Sequence, residues 1–266
     1  MKIYISTDVE GLNGVTYEHQ IYSQNEAFKQ TRNQLHFELN TIIETLLANN
    51  VTKITVNDAH ELMDNISISE LPPNVRLITG KPKPISMMYG LDKTFDGVFL
   101  MGYHSKVKSK GVLSHTFSLD FNDVKVNGQT VSEAWLNAYY ASTLGVPTLF
   151  ASGDDIFCKE VQTEIKDITT VCTKKSIAYN GAICKKNDAL KEDYKKAVTK
   201  AVQMSEKPIL KSDLEKFTIE VSFKDHNKTT AFQYLPLNIE IDYSTVKYSA
   251  TDFFEMYKFL QFCCCI

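Results

Sequence analysis

Two apolar runs separated by a long amphipathic segment constrain the fold of this chain more than any other feature. Residues 3–5 predict a β-strand, and over about residues 25–48 the apolar side chains recur at spacings of mostly three and four, which predicts a helix with one core-facing side. Residues 51–56 alternate and are rich in β-branched side chains, which predicts a second strand. Because strand-helix-strand crossovers are right-handed, the two strands are expected to lie parallel in one sheet.

The remainder of the chain predicts further strands and helices. An apolar run at residues 97–102 is typical of a strand buried on both faces, and residues 117–126 with the turn Asn127-Gly128 predict a hairpin. The predicted fold class is α/β, with a largely parallel sheet flanked by helices and a second, smaller α+β lobe. We expect a single unit over residues 1–266, with approximate lobes at residues 1–155, which hold the metal-binding motifs, and 156–266.

Composition and charge exclude several classes of partner. With 43% hydrophobic and 23% charged residues, the 266-residue chain resembles an ordinary globular protein. A net charge of -3 gives no electrostatic reason to expect nucleic acid or an anionic membrane as a partner. No secretory signal is visible and no apolar run approaches the ~20 residues of a membrane-spanning helix, so a cytoplasmic location is expected.

Polar, ligand-rich turns follow three of the predicted strands. Asp8 and Glu10 end the first strand and, being two residues apart, project their carboxylates to the same side. His60 and His104 follow two later strands, and ligands of open α/β sheets bind at the carboxyl ends of the strands. Taken singly, the acids could be solvated turn residues and the histidines structural. Together they predict a metal site of carboxylates and imidazoles, which suits Zn²⁺ and also Mn²⁺ or Co²⁺.

Two further residues are candidates with equally good structural explanations. Ser132 is a plausible helix N-cap, which places Glu133 in the first turn, where an acid also complements the helix dipole. His115 follows a glycine-containing loop close to the third strand end. The other histidines, His19, His36 and His226, have no comparable setting and are expected to be surface or structural residues.

Five motifs in fixed order make the interpretation more specific. They are Asp8-Val9-Glu10-Gly11, Asn57-Asp58-Ala59-His60, Gly102-Tyr103-His104, Ser114-His115, and Ser132-Glu133 followed by Asn137-Ala138-Tyr139. In order and spacing they resemble the D-aminopeptidase family associated with dipeptide transport, a group of binuclear zinc peptidases. The similarity covers nearly the whole chain, and Gly153-Asp154-Asp155 adds a further match.

The resemblance implies a set of functional residues. It implies two Zn²⁺ per chain, held by Asp8, Glu10, His60, His104 and Glu133. Asp8 is implied as the ligand shared by both ions, and His115 as the catalytic side chain, whose role as base, acid or oxyanion donor the sequence leaves open. Differences from the family pattern at Ala59, Ser105 and Thr116 leave the substrate preference undetermined.

The implied activity is hydrolysis of short peptides, with N-terminal D-amino acids such as D-Ala-D-Ala, by a zinc-dependent aminopeptidase that activates water. Two alternatives use the same residues: another metal-dependent amidohydrolase, and a metal-containing peptide-binding protein without turnover. Family members assemble as ring-stacked decamers around an internal chamber, so a homo-oligomer, possibly a decamer, is expected. The last predicted helix is crowded with apolar residues, which indicates either a subunit interface or burial within its own subunit.

Overall fold

The computed structural model of the protein describes residues 1–210 and 214–266, and within these ranges twelve strands form two sheets. The strands are β1 (Lys2–Thr7), β2 (Lys53–Asp58), β3 (Val75–Ile78), β4 (Gly97–Met101), β5 (Phe121–Val126), β6 (Gln129–Thr130), β7 (Thr148–Asp154), β8 (Thr169–Ala178), β9 (Gly181–Cys184), β10 (Phe217–Phe223), β11 (Ile239–Asp242) and β12 (Thr245–Ala250). The α-helices are α1 (Phe28–Ala48), α2 (Glu133–Thr143), α3 (Asp155–Glu164), α4 (Asn187–Gln203) and α5 (Phe253–Cys263). None of the described helices is long and apolar enough to cross a bilayer.

The large sheet has the strand order β3-β2-β1-β4-β7-β8-β9 and is parallel except for its last pair. Strand β1 lies between β2 and β4, with Thr7 opposite both Asp58 and Met101. Three strands therefore end level with one another at one edge of the sheet. Helices α1 and α4 cover one face, and α2 and α3 pack with the small sheet against the other. The predicted α/β class with a largely parallel sheet is confirmed.

The small sheet is antiparallel, in the order β11-β12-β10-β5-β6, and α5 packs on it. The predicted hairpin turn Asn127-Gly128 joins β5 to β6 with both residues at positive φ. The two sheets do not divide the chain at residue 155, because β5 and β6 precede that point while β8 and β9 extend the large sheet. Periodicity predicts that a segment is a strand, but it carries no information about which sheet the strand joins.

The last helix, α5, is buried within its own subunit. Phe253, Met256, Tyr257 and Leu260 are all buried against the small sheet and α2, whereas Phe254 is exposed. Burial thus explains the apolar crowding of this helix, and an interface role is not needed to account for it. Beyond its apolar face, α5 ends beside the strand-end edge of the large sheet, where the predicted site residues lie.

Candidate metal centre

The level ends of β1, β2 and β4 bring the predicted site residues together. Asp8 and Glu10 leave β1, and His60 and His104 leave the strands on either side of it. Glu133 enters from the first turn of α2, whose N-cap is Ser132, as predicted. His115 enters from the loop between β4 and β5. All six side chains are buried.

Two glycines allow the strand-end turns to approach this closely. Gly102 has φ +72°, and a Cβ at this position would lie 2.2 Å from the Asp8 carbonyl oxygen. Gly11 donates its backbone N–H to the Gly102 carbonyl oxygen at 2.8 Å, and a Cβ on Gly11 would lie 2.0 Å from the Tyr103 carbonyl oxygen. The glycines of the first and third motifs are thus required by contact between two backbones.

Replacing Gly102 by alanine is expected to disrupt the site. The left-handed backbone alone costs an L-residue about 1–2 kcal/mol, and the contact with Asp8 adds to that cost. Gly128→Ala is the matched control, because Gly128 has φ +80° but nothing within 4 Å of the added Cβ. Urea unfolding and metal content should show a larger loss for Gly102→Ala in both measurements. Equal effects of the two substitutions would contradict the importance of this contact.

The donor atoms form two sets that meet at Asp8. In the first set, His60 Nδ1 lies 3.1 Å from Asp8 Oδ1 and 3.3 Å from Glu10 Oε2. In the second, His104 Nε2 lies 3.5 Å from Asp8 Oδ2 and 3.2 Å from Glu133 Oε1. Within each set, the donor atoms lie within 4.8 Å of one another. The arrangement resembles two adjacent coordination sites with one common carboxylate.

Backbone carbonyls fix the orientation of all three imidazoles. His60 Nε2 lies 2.6 Å from the Ile21 carbonyl oxygen and donates to it, since a carbonyl only accepts. His104 Nδ1 donates in the same way to the Ser105 carbonyl oxygen at 3.1 Å, and His115 Nδ1 to that of Leu113 at 2.8 Å. Each ring therefore turns its other nitrogen toward the carboxylates, where it can bind an ion once deprotonated, as metal-binding histidines do.

His115 lies slightly apart from the two donor sets. Its ring stacks on that of His104, with centroids 4.0 Å apart and 7° between the planes. Its Nε2 atom lies 4.0 Å from Glu10 Oε1 and 3.9 Å from Glu133 Oε1, farther than the nitrogens of His60 and His104 lie from their carboxylates. A third set of Glu10, His104 and His115 is nevertheless compact enough to hold an ion. Geometry therefore allows His115 to be either a ligand or a proton-transfer group.

The residues fit a divalent metal ion. Among the described residues, Glu10 Oε2 and His104 Nε2 are buried without a hydrogen-bond partner, a costly state that a cation would relieve. Once deprotonated, as metal binding requires, three buried carboxylates beside three neutral imidazoles carry a net negative charge that a cation offsets. Carboxylate and imidazole donors without thiolate suit Zn²⁺, and also Mn²⁺ or Co²⁺.

Without a cation, the cluster retains protons. Burial and the nearby Glu10 carboxylate raise the pKa of Asp8 to about 8. Although burial opposes it, the Glu133 carboxylate raises the pKa of His104 to about 10, and Glu10 and Asp8 raise the pKa of His60 well above its usual range. Burial and the neighbouring His104 lower the pKa of His115 to about 4. Protons on Asp8, His60 and His104 thus occupy the positions that a cation would take.

Comparison with known proteins agrees with this geometry. The family model described as D-aminopeptidase matches residues 1–262. The chain belongs to the D-aminopeptidase family. A D-aminopeptidase of Bacillus subtilis (strain 168) is 29% identical over 259 residues, covering 97% of this chain and 94% of that protein. A solved structure, the Zn-dependent D-aminopeptidase DppA from Bacillus subtilis, described as a self-compartmentalizing protease, superposes with a TM-score of 0.93 at 29% identity, covering 99% of this chain and 96% of that one.

These comparisons confirm the family resemblance that the five motifs predicted, and with it the assignment of the chain to the peptide hydrolases.

The protein has a cleft of about 1010 Å³ beside the cluster of carboxylates and imidazoles. Its walls come from the loop after β1, the loop containing Lys83 and the end of α5, and include Tyr22, Met87 and Phe262. The loop after β1 lies over the site, since Ile21 and Tyr22 line the cleft.

One supporting residue of the site, Lys174, was missed by the sequence reasoning. Lys174 on β8 is fully buried, and its ammonium group donates to the backbone carbonyls of Glu10, Leu12 and Val15. It therefore holds the loop that follows the first motif. In the sequence, Lys174 is visible only as a lysine at an inward-facing position of a strand. The groups that it contacts can be identified only from the tertiary structure.

Other motif residues hold the framework in place. Asn137 donates to the Tyr103 hydroxyl at 2.9 Å and accepts from the Tyr257 hydroxyl at 3.1 Å, which ties α2 and α5 to the loop carrying His104. Asp154 caps α3 by accepting from the Phe157 N–H and also accepts from the Val112 N–H, close to His115. These contacts give the matching motifs around Asn137 and Asp154 a structural role.

Proposed function

We propose that this chain is a zinc-dependent aminopeptidase that holds two Zn²⁺ ions through Asp8, Glu10, His60, His104 and Glu133. The observation that carries the proposal is the pair of donor sets that share Asp8. Five protein ligands serve two ions only if one ligand is shared, and coordination positions then remain for water and substrate. The zinc dependence of the similar DppA structure supports the choice of metal, and the donor set also accepts Mn²⁺ or Co²⁺.

The proposed reaction is hydrolysis of the N-terminal peptide bond. When bound, the ions acidify a water molecule and polarise the scissile carbonyl. His115 Nε2 carries the free lone pair, because Nδ1–H is held by the Leu113 carbonyl oxygen. In this proposal, Nε2 accepts a proton from the attacking water and transfers it to the leaving amine. The His104 ring, stacked on His115, keeps the imidazole in place for both transfers.

The proposed substrates are short peptides with an N-terminal D-residue, such as D-Ala-D-Ala. The D-aminopeptidases that this chain resembles support the stereochemistry. The cleft of about 1010 Å³ supports a small substrate, and its lining includes Asp8, Glu10 and Glu133 of the proposed metal centre, where a free amino group can coordinate an ion. A chain with an N-acyl group lacks that amine and is expected to bind poorly.

The test is a hydrolysis screen with the zinc-loaded protein. Paired D- and L-dipeptides establish stereospecificity, and N-acylated and phosphoester analogues test for another metal-dependent hydrolase. Turnover of D-Ala-D-Ala with little activity on the analogues supports the proposal. Preferred hydrolysis of the acylated analogues would favour an amidohydrolase, and bound D-Ala-D-Ala without product would favour a peptide-binding protein.

We further propose a cytoplasmic homo-oligomer, possibly a decamer, that encloses its active sites. The support is the similar DppA, described as a self-compartmentalizing protease. Enclosure would admit short peptides and exclude folded proteins from the cleft. Light scattering gives the oligomeric state, and hydrolysis of di- and tripeptides can be compared with that of a folded protein bearing the same N-terminus. A monomer that trims both at similar rates would contradict enclosure while leaving the zinc chemistry intact.

A further inference from the structure

Lys83 is a buried lysine in the wall of the cleft. It lies in the segment Lys81-Pro82-Lys83-Pro84, and only 7% of the residue is exposed. Its ammonium group donates to Asn57 Oδ1 at 2.6 Å and to the Asp58 carbonyl oxygen at 2.5 Å. Both partners lie at the end of β2, and His60 follows only two residues after Asp58. Lys83 is thus held next to the strand end that delivers part of the metal centre.

The Lys83 ammonium lacks an anionic partner. The Asp58 carboxylate is already engaged by the backbone N–H groups of Asn65 and Ile66 and by the Asn65 side chain. Across residues 1–210 and 214–266, no carboxylate oxygen lies within 4 Å of Lys83 Nζ, whose two acceptors are both neutral. Burial accordingly lowers the pKa of Lys83 to about 8. A buried charge of this kind is costly unless a partner arrives.

Lys174 shows what a purely structural buried lysine looks like in this protein. It is the other buried lysine of the described residues, and its three N–H donors go to three backbone carbonyls of the loop after β1. Lys174 lies outside the cleft lining, whereas Lys83 is part of it. An ammonium group has three donors and Lys83 uses two within the protein, so one donor remains for a ligand in the cleft.

We infer that Lys83 binds the C-terminal carboxylate of the substrate and so makes the site favour short peptides with a free C-terminus. The inference rests on the proposed aminopeptidase function. In the proposed reaction the amino end of the substrate lies at the metal centre, and Lys83 offers a cationic group for the carboxyl end at the wall of the same cleft. Lys83 contacts the Asp58 carbonyl oxygen, and Asp58 lies two residues before the proposed ligand His60. A carboxylate bound by Lys83 would therefore lie on the side of the cleft formed by the end of β2.

The test compares D-Ala-D-Ala with its C-terminal amide, D-Ala-D-alaninamide, in the zinc-loaded protein. Wild-type kcat/KM should favour the free acid by about 10- to 100-fold, the effect of one hydrogen bond to a charged group. Lys83→Met should remove this preference, chiefly by raising KM for the acid, and leave hydrolysis of the amide. Lys83→Arg should keep part of the preference. The amide is the internal control, because structural damage would lower kcat/KM for both substrates together.

Lys93→Met is the control variant, because it removes an exposed lysine charge that lies outside the cleft lining. Exposed charges are screened, so the acid-to-amide ratio should stay within about twofold of wild type. A wild-type ratio near one, a ratio unchanged in Lys83→Met, or equal falls in the Lys93 and Lys83 variants would overturn the inference. Wild-type hydrolysis of both substrates at equal rates refutes the role of Lys83 alone, whereas hydrolysis of neither refutes the proposed function.

Discussion

His115→Ala is expected to retain the fold and the bound metal but to lose most of its turnover. General acid–base groups typically contribute about 10² to 10⁴-fold to the rate. The substitution removes the Nε2 atom, which lies 3.9 Å from Glu133 Oε1 and is oriented by a hydrogen bond from Nδ1 to Leu113. The five proposed ligands remain, so kcat for D-Ala-D-Ala should fall while metal content stays close to that of the wild type.

The control for this substitution is His19→Ala. His19 is exposed and lies outside the cleft lining, so kcat should not change. Near-normal kcat in His115→Ala would remove His115 from the mechanism. Loss of metal together with activity would instead identify His115 as a ligand, as the compact set of Glu10, His104 and His115 permits.

Zinc binding is expected to weaken steeply as the pH falls through the neutral range. In the metal-free cluster, burial and Glu10 raise the pKa of Asp8 to about 8, and Glu133, against the effect of burial, raises the pKa of His104 to about 10, so both groups hold protons near neutral pH. An ion must displace these protons. Lower pH increases proton occupancy, and the affinity should fall by about tenfold per pH unit for each proton displaced.

Calorimetric titration with Zn²⁺ in buffers of different ionisation enthalpy counts the released protons directly. His115 has a pKa lowered to about 4 by burial and by His104, so it stays neutral in this range, with its one ring proton on Nδ1, and releases none when the metal binds. The His115→Ala variant should therefore show the same pH dependence as wild type. Affinity that does not change between about pH 6 and about pH 8 would contradict the proposed charge state of the cluster.

Much of this fold follows from local patterns in the sequence. Ser132 is the N-cap of α2 as predicted, and Asp252 caps α5 in the same way, because their side chains accept hydrogen bonds from the first turn. The three strand ends were predictable from polar residues that directly follow apolar runs. Their convergence then follows from the parallel register of β1 with its neighbours, which places Thr7 opposite Asp58 and Met101.

Features that depend on distant parts of the chain were not predictable. Lys174 contacts Glu10 across 164 positions of sequence, and Gln261 donates to the Lys83 carbonyl oxygen across 178. No local periodicity reports such contacts. The assignment of strands to sheets is limited in the same way. Strand β8 shows ordinary alternation of buried and less buried residues, and this pattern does not indicate that β8 pairs with β7 in the large sheet. The cleft therefore emerges only once the tertiary structure is known.

The proposal of two zinc ions sharing Asp8 is tested most directly by metal analysis of the reconstituted protein. After chelation, reconstitution with Zn²⁺ and removal of excess ion, the protein should contain about two equivalents of zinc per chain. His60→Ala and His104→Ala, which alter different donor sets, should each reduce this value, and Asp8→Asn should weaken both sites. One equivalent in the wild type, or two equivalents retained in both histidine variants, would contradict the account.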